Sequence, residues 1–447
     1  ATLVISDYGH HPSEIKALLA AVKGLDRTRK PGGRIRAVFQ PHRYTRTLAL
    51  GAQFPGAFRG ADEVVLVPVY AASEKMIAGG TIFDLYALWR KQRAGAGTGN
   101  AIPPALLAGS LEQAWQYLSR TQRVGETLLV VGAGDVEKIA EWARDQYAGK
   151  RKVHAASRRV ESGLKLDHTL VRRDEPLARK TTFGVGGSAD VWMEIGSVAD
   201  LRKVMRRAAR LGLPFRLLGG GSNILACDTG VRGISARLTG EEFRRIHVGG
   251  MTVTAGAGVP LVRLLACLEK NGLAGLEFLE GIPGTVGGAL RMNAGAWGDE
   301  IGKHIAWVRH VDDSGEVKVV RNPVFSYRCG LASAAIVEAA FVCFPGTTAA
   351  IAGLRRNIAA RRAWMKGLRC AGSVFRNPPG DFAGRLIDEA GLKGLTVGGA
   401  MISKRHANVI ITRKGACASD VLALIGMART AVRLKCGVEL DTEVEIL

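Results

Sequence analysis

The chain has 447 residues, more than one hydrophobic core usually supports, so its length predicts two to four domains. Apolar residues make up 47% and charged residues 23%, and no apolar run could cross a bilayer, which excludes an integral membrane protein and predicts a soluble, cytoplasmic one. The formal net charge of +22 suits an anionic substrate or an arginine-rich composition. Because the basic clusters lack interleaved aromatic residues, we expect no specific nucleic-acid partner.

Seven cysteines are spread through the sequence without a C-x-x-C pair. Their odd number and wide spacing predict reduced thiols, and they indicate neither a disulfide framework nor a zinc site. We therefore expect no metal centre. The sequence opens as ATLVISDYGHHPSE, without a methionine and already within an apolar run, so we expect it to be a fragment of a longer polypeptide.

Residues 1–148 alternate apolar, strand-like runs with helical segments. The strand-like runs are TLVIS, IRAVF, EVVLVPVY and TLLVVGAGD, and the helical segments include IKALLAAVKGL and LEQAWQYLSR. This alternation predicts a parallel α/β sheet with helices on both faces. The polar, basic run GKRKVHAASRRV at 149–160 lacks an apolar period, so we interpret it as a linker.

The sequence changes character from residue 161, where glycines and short strands become frequent. Helical periodicity returns at 347–366 and at 418–435, and the closing run GVELDTEVEIL alternates as a strand does. This half of the chain is therefore predicted to be α+β.

Two glycine-rich loops in this half could bind a phosphate-bearing ligand. The run FRLLGGGSNIL at 215–225 places Gly219, Gly220, Gly221, Ser222 and Asn223 directly after an apolar strand. Consecutive glycines let the backbone approach a ligand closely, and successive amides form an anion-binding concavity that suits a pyrophosphate. The run matches neither G-x-G-x-x-G nor a Walker P-loop, and an ordinary tight turn remains the alternative.

The second loop, LEGIPGTVGGALRMNAGAWG at 279–298, is rich in amides and poor in charge. Its candidate binding residues are Gly284, Thr285, Gly287, Gly288, Asn293 and Gly295. Two such loops would suit a long cofactor with a diphosphate and a polar ring. A flavin dinucleotide fits better than ATP, which would need a magnesium carboxylate nearby.

These loops, together with TTFGVGGSADVWME at 181–194 and AGSVFRNP at 371–378, resemble the UDP-N-acetylenolpyruvoylglucosamine reductases, the MurB flavoenzymes of peptidoglycan synthesis. The resemblance covers 161–447 in the family's order. The form resembled is the shorter one, because SYRCG at 326–330 passes almost directly into LASAAIVEAAF.

The resemblance implies an α+β FAD-binding domain of the vanillyl-alcohol-oxidase (PCMH-like) fold at 161–346. It implies a smaller α+β substrate-binding domain at 347–447, whose last strand returns to the FAD domain. It also implies non-covalent FAD, NADPH as co-substrate, and a UDP-sugar whose enolpyruvyl double bond is reduced to a lactyl ether.

The resemblance further implies three catalytic residues. Ser373 corresponds to the proton donor, Arg328 to an arginine that pairs with the substrate carboxylate, and Glu443 to the family's C-terminal glutamate. A carboxylate beside a developing dianion is unfavourable unless it is protonated, so we expect burial and like charge to raise the pKa of Glu443. A turn serine at 373, and Glu439 or Glu445 in place of Glu443, are the alternatives.

Further residues are expected to contact the substrate or its diphosphate: Tyr327, Arg376, Asn377, Lys404 and His406. His406 could equally be a packing histidine. The sequence departs from the family in YRCG at 327–330, where serine commonly follows the arginine by two positions, and at Thr412, where asparagine is common.

The first half resembles the C-terminal, Rossmann-like domain of UDP-N-acetylmuramate:L-alanine ligase through DYGHHPSEI, VFQPHRYTRT, PVYAASEKMI and VVGAGDVEKIA. By this resemblance a nucleotide and the L-alanine carboxylate would be bound by Asp7, His10, His11, His42, Arg43 and Arg46. ATP and Mg²⁺ would serve only the complete ligase, whose other domains are expected upstream. Because no P-loop is present, we expect no ATP turnover by this chain alone.

Two other functions stay open at this level. The ligase half could carry the main activity with the reductase half as a scaffold, or the chain could be another FAD-dependent oxidoreductase of the same cofactor fold. The presence of Ser373, Arg328 and Glu443 together favours the reductase.

Overall fold

A computed structural model describes residues 3–29, 33–95, 101–122, 125–157, 160, 164–328, 330 and 335–447. Cys329 and the LASA run at 331–334, which enter the comparison with the shorter reductases, lie outside the described residues. Within the described part, no helix is both long enough and apolar enough to cross a membrane.

The first 132 residues contain a five-stranded parallel sheet with strand order β1-β5-β2-β3-β4. Its strands are β1 (Leu3–Asp7), β2 (Ile35–Gln40), β3 (Glu63–Leu66), β4 (Ala105–Leu107) and β5 (Thr127–Gly132). The helices of this half are α1 (Pro12–Arg29), α2 (Tyr44–Leu50), α3 (Phe54–Ala57), α4 (Ile82–Gly95), α5 (Leu111–Thr121) and α6 (Lys138–Ser157). Strands β2 and β5 are buried throughout, as expected for a parallel sheet that helices cover on both faces.

This arrangement confirms the predicted parallel α/β sheet. Two separate apolar clusters pack on its opposite faces, because successive side chains of β2 and β5 point to opposite sides. Strand β4 and helix α4 were not predicted from the sequence. Strand β4 is too short for its alternation to be detected, and the apolar residues of α4 are interrupted by arginine and glutamine.

Two oppositely charged side chains, Arg36 and Glu63, are buried within this sheet. Arg36 in β2 is 1% exposed, and its Nη2 lies 2.6 Å from Oε1 of Glu63 on the neighbouring strand. Its guanidinium also lies 5.1 Å from the centre of the Tyr117 ring on α5. The ion pair therefore fixes the position of α5 on the sheet as well as the pairing of β2 with β3.

The segment 149–160, interpreted from sequence as a linker, is helical as far as Ser157, because α6 continues through it. Val153 packs against the core of the second half, and the hydroxyl of Ser157 donates to Val153's carbonyl and lies 3.4 Å from Asp190. Val153 and Ser157 lie one turn apart and both contact the other half, so no periodic apolar pattern was visible in the sequence.

The second half begins with two sheets that share one large core. The first is mixed and has the order β6-β7-β10-β8, and the second is antiparallel with the order β11-β12-β18-β16-β17. These strands are β6 (Thr169–Pro176), β7 (Ser188–Ile195), β8 (Phe215–Leu217), β10 (Val231–Leu238), β11 (Ile246–Gly249), β12 (Thr252–Gly256), β16 (Ile305–Val311), β17 (Val317–Arg321) and β18 (Ala335–Val342).

Short strands and four helices complete this part. The short strands are β9 (Ile224–Leu225), β13 (Leu273–Ala274), β14 (Gly295–Ala296), β15 (Asp299–Glu300) and β19 (Phe344–Pro345). The helices are α7 (Val198–Arg210), α8 (Leu261–Lys270), α9 (Val286–Arg291) and α10 (Thr348–Arg362). Helix α10 contacts α8 and β13, so it packs on this part although it follows the predicted boundary at 346.

The C-terminal part has its own apolar core around α11 (Ala383–Glu389) and α12 (Ala418–Cys436). Its small sheet contains β20 (Thr396–Val397), β21 (Ala400–Ile402) and β22 (Ile410–Thr412). The final strand, β23 (Glu445–Ile446), pairs in parallel with β9, so the end of the chain returns to the preceding part. Helices α10 and α12 lie where the helical periodicity predicts them.

The two halves of the chain meet where α5 packs on α12. Tyr117 of α5 contacts the apolar core of the first half and also that of the C-terminal part. Arg433 of α12 donates to the carbonyl of Gly109, just before α5 begins.

We expect Arg36→Met to destabilise the first sheet by about 3–5 kcal/mol, because the buried Glu63 would lose its close partner and keep only a 3.8 Å contact with Arg34. Arg34→Met is the matched control: Arg34 also pairs with Glu63, but its side chain is 43% exposed, so the cost should stay below about 1 kcal/mol. Hydrogen exchange measured by mass spectrometry should accelerate in β2 and β3 by more than about a hundredfold in the first variant only. Equal exchange in the two variants would contradict this assignment.

Candidate active site

The two glycine-rich loops lie against each other. A Cβ added to Gly220 would be 2.8 Å from Cα of Gly284, closer than carbon atoms can approach without displacement. Gly221 has a φ of +67°, and a Cβ there would overlap the carbonyl oxygen of Lys180. Glycine is therefore required at both positions, and the backbones of the two loops pack closely against each other.

Side-chain hydrogen bonds hold this pair of loops together. The hydroxyl of Ser222 donates to the carbonyl of Pro283 at 2.8 Å. Thr285 precedes α9 and accepts from the amide of Gly288 at 3.4 Å, and Gly219 lies beside its hydroxyl. Gly287 lets α9 approach Ala257. The surface is uncharged and rich in backbone amides, which fits a diphosphate as the sequence predicts.

Asn223 connects the first loop to the end of the chain. Its Nδ2 donates to the carbonyl of Glu443 at 2.9 Å, and its own carbonyl accepts from the amide of Glu445 at 2.9 Å. The role of Asn223 in the structure is thus to position the C-terminal strand. Its expected contact with a cofactor stays a prediction.

Asn293 in the second loop is 1% exposed and bonded within the protein. Its Nδ2 donates to Glu300 at 2.9 Å and to the carbonyl of Ser326 at 3.0 Å, while its Oδ1 accepts from the amide of Gly302 at 3.0 Å. These bonds fix the start of the SYR motif, so Asn293 positions that motif.

Arg328 and Glu443 form an ion pair at the junction of the two parts of the second half. Arg328 Nε lies 2.9 Å from Glu443 Oε1, although the N–H is not aligned for a hydrogen bond. Arg328 also donates from Nη1 to the carbonyl of Gly295 at 3.3 Å, and its guanidinium lies 5.4 Å from the Tyr327 ring centre. These three contacts orient the guanidinium group of Arg328. About half of the Tyr327 surface is exposed.

Burial raises the pKa of Glu443 above the usual carboxyl value, and the positive charges of Arg328 and Arg376 oppose that rise. A raised pKa for Glu443 is the direction that the sequence analysis expected. That analysis also expected a like charge to contribute, but in the substrate-free protein the charged groups near Glu443 are two guanidinium groups. Neither competing glutamate is paired with Arg328: Glu439 pairs with Arg429 at 2.9 Å, and Glu445 lies in β23 with an exposed side chain.

Ser373 lies on the segment that runs beside Glu443. It forms a β-bridge with Val409, and the carbonyl of the next residue, Val374, accepts from the amide of Glu443 at 2.8 Å. Gly372, with a φ of +71°, turns the chain immediately before it. The structure therefore places the Ser373 segment beside Glu443, which pairs with Arg328.

Asn408 holds the Ser373 segment in place and was not singled out from the sequence. It is 3% exposed, and its side-chain amide both accepts from the amide and donates to the carbonyl of Phe375, each at 2.8 Å. The sequence signal that could have revealed it is an asparagine within the apolar run HANVIIT.

The expected substrate residues are only partly brought together. Arg376 is exposed and close enough to Glu443 to lower its pKa. Asn377 instead accepts from the amide of Ala383 at 3.1 Å at the start of α11, a structural role. Lys404 and His406 lie exposed in the turn between β21 and β22.

His406 has the contacts of a packing residue. Its ring stacks on Trp364 with the centroids 6.4 Å apart, and its Nδ1 accepts from the amide of Asn408 at 3.2 Å. Partial burial of the ring, with Lys393 nearby, lowers the pKa of this imidazole. A contact with substrate stays a prediction for Lys404 and His406.

The candidate residues of the first half also converge, at the carboxyl ends of parallel strands. The ring centroids of His10 and His42 are 5.4 Å apart, and His42 stacks on Tyr70 at 5.8 Å. Burial lowers the pKa of His42, and His10 together with Arg46 and Arg43 adds to this effect. Asp7 and His11 are bonded locally, to the amide of Gly9 and to Ser13. Among the described residues, no group of three or more His, Cys, Asp or Glu side chains is arranged to hold a metal.

The fold and the paired glycine loops define a flavin-binding domain followed by a small C-terminal domain. Three family models match accordingly: the FAD binding domain at 189–321, the C-terminal domain of UDP-N-acetylenolpyruvoylglucosamine reductase at 364–447, and the Mur ligase glutamate ligase domain at 1–134.

The chain belongs to the UDP-N-acetylenolpyruvoylglucosamine reductase family, with a Mur ligase C-terminal domain preceding it. It is 42% identical to UDP-N-acetylenolpyruvoylglucosamine reductase 2 of Symbiobacterium thermophilum, over 63% of this chain and 93% of that protein. It is 38% identical to the reductase of Anoxybacillus flavithermus, over 62% and 94%. The MurB structure from Thermus caldophilus matches with a TM-score of 0.54 and 34% identity, over 62% of this chain and 98% of that one.

We expect Gly220→Ala to lose bound flavin, because the added Cβ would push the first loop away from Gly284. Gly353→Ala in α10 is the matched control, since nothing lies within 4 Å of a Cβ at that position. Flavin content per chain, measured by absorbance after purification, should fall severalfold in the first variant alone. Circular dichroism should show both variants folded, and full flavin content in Gly220→Ala would contradict the assignment.

Proposed function

We propose that this chain reduces UDP-N-acetylenolpyruvoylglucosamine to UDP-N-acetylmuramate in peptidoglycan synthesis, with FAD as cofactor and NADPH as reductant. The observation that supports the proposal is the Arg328–Glu443 ion pair, with the backbone of the Ser373 segment bonded beside Glu443. The reaction needs a proton donor and a carboxylate partner at one place, and these residue types supply both.

The glycine loops fit FAD because a backbone surface without side chains lets a diphosphate approach the amides. Gly219, Gly220, Gly221 and Ser222 would hold the diphosphate, and Gly284, Thr285, Gly287 and Gly288 would form the facing wall. Bound there, a flavin would supply hydride transfer from NADPH to the substrate alkene.

Arg328 binds the substrate carboxylate in this proposal and stabilises the negative charge that spreads onto it. A planar guanidinium suits a carboxylate, and its contacts with Gly295, Tyr327 and Glu443 keep it oriented before substrate arrives. The arriving carboxylate competes for Arg328 and brings a like charge to Glu443. Both effects add to the burial that already raises the pKa of Glu443, so this carboxyl group takes up a proton and donates a hydrogen bond.

Ser373 donates the proton that completes the reduction. Its Oγ–H bond breaks as a C–H bond forms at the carbon next to the carboxylate, and the serine then regains a proton from solvent. A serine suffices as the acid because the carbanion is a far stronger base. Asn408 keeps the donor in position through its two bonds to Phe375.

We expect Ser373→Ala to keep NADPH-dependent bleaching of the flavin and to slow its reoxidation by the UDP-sugar by about 10²–10⁴-fold. Ser314→Ala, at a turn serine whose hydroxyl donates to Asp312, is the control and should leave both half-reactions intact. Stopped-flow absorbance resolves the two steps. Unchanged reoxidation in Ser373→Ala would refute the assignment of this residue.

We expect the rate of substrate reduction to fall as the pH rises through the raised pKa of Glu443, because only the protonated acid donates a hydrogen bond. In Glu443→Gln this alkaline limb should be lost, since an amide donates at every pH. The measurement is the pH profile of flavin reoxidation, and identical profiles for the two proteins would rule out a protonated Glu443.

We also propose that the ligase-like part does not hydrolyse ATP in this chain, because the sequence has no Walker P-loop. ATP and Mg²⁺ would serve only a complete ligase. Release of ADP on adding ATP, L-alanine and UDP-N-acetylmuramate would contradict the proposed inactivity.

We further propose a cytoplasmic location, because nucleotide substrates and free thiols suit that compartment.

A further inference from the structure

A cavity of about 480 Å³ lies beside the Arg328–Glu443 pair, and both halves of the chain line it. Its volume is in the range of sites that hold small ligands. We propose that α5 of the N-terminal domain forms one wall of the nucleotide-sugar site and that Arg120 on this helix binds the substrate's diphosphate. This inference rests on the proposed reductase function and adds the N-terminal domain to its substrate site.

The side of α5 that faces the cavity is polar and continuous. Four residues at spacings of three and four line it: Gln113, Gln116, Tyr117 and Arg120. Ala114 and Leu118, on the opposite side of the helix, are fully buried in the core of the first half. The helix therefore uses its apolar side for its own domain and presents its amide and guanidinium groups to the reductase side.

Helix α5 is held firmly enough to position a binding residue. Ser110 caps its first turn by accepting from the amide of Gln113 at 3.2 Å, and Gln113 Oε1 accepts from the amide of Gly109 at 2.8 Å. Tyr117 packs between the two apolar cores, directly below Arg36. A side chain on such a fixed helix loses less entropy on binding than one on a loop.

The charge of the cavity favours an anion. Two glutamates line it, Glu443 and Glu445, against five arginines: Arg120, Arg291, Arg328, Arg376 and Arg429. Arg328 is paired with Glu443, and Arg429 with Glu439. Arg120, by contrast, makes no hydrogen bond or ion pair with any other described residue, so its guanidinium is available to a ligand.

The charged residues that line this cavity could bind the two anionic groups of a nucleotide sugar that bears a carboxylate. Arg328 and Glu443 take the carboxylate in the proposed mechanism, which leaves the diphosphate as the substrate's other anionic group. Arg120 lines the same cavity from the facing helix, and a guanidinium can bind phosphate oxygens in a bidentate manner.

The test is Arg120→Ala in the full chain, with Arg144→Ala as the control. Arg144 is an exposed helical arginine of the same domain that does not line the cavity, so the change in net charge is the same. We expect Arg120→Ala to raise the KM for the UDP-sugar and the Kd for UDP, measured by calorimetry, by about tenfold or more. Flavin content and kcat should remain unchanged, and Arg120→Lys should restore part of the affinity.

The calorimetric measurement of UDP binding tests this inference independently of the proposed reductase activity. If the wild-type chain fails to reduce the UDP-sugar, the proposed function is wrong, yet loss of UDP affinity in Arg120→Ala alone would still support the site. A parallel loss of NADP⁺ affinity would also support it. UDP affinity equal in Arg120→Ala and Arg144→Ala, or a loss confined to NADP⁺, would overturn the assignment.

Discussion

The return of the chain's last strand to the first glycine loop is the constraint on which the candidate site depends. Strand β23 pairs with β9, and Asn223 bonds to the backbone on both sides of Val444. These contacts bring Glu443, four residues from the C-terminus, beside Arg328 of the preceding part. If β23 were displaced, the ion pair, the register of the Ser373 segment and the edge of the glycine loops would all be lost together.

The site divides its chemistry between an uncharged and a charged region. The glycine loops offer backbone amides without side chains, which suits close approach by a large cofactor. The charged pair lies where the C-terminal part meets the loops, and burial there makes a carboxyl group easier to protonate. The cavity beside this pair extends to α5 of the N-terminal domain.

Features encoded locally could be predicted from the sequence. The parallel α/β sheet, the two glycine loops and helices α10 and α12 follow from periodicity and glycine content, and the motif around Ser373 is local as well. Features that arise from tertiary contacts could not. Helix α6 continues through 149–157 because Val153 and Ser157 meet the other half, and Asn377 is used by α11 rather than left free for a ligand. From the sequence alone, the polar face of α5 resembles an ordinary solvent-exposed helix face. The structure shows that this face lines a cavity whose other walls include α12 and β23.

The most direct test of the central claim is an anaerobic titration of the purified chain followed by visible absorbance. The account predicts flavin bands that bleach on adding NADPH and recover in full on adding one equivalent of UDP-N-acetylenolpyruvoylglucosamine. A preparation that binds no flavin, or a bleached flavin that this sugar fails to reoxidise, would contradict it.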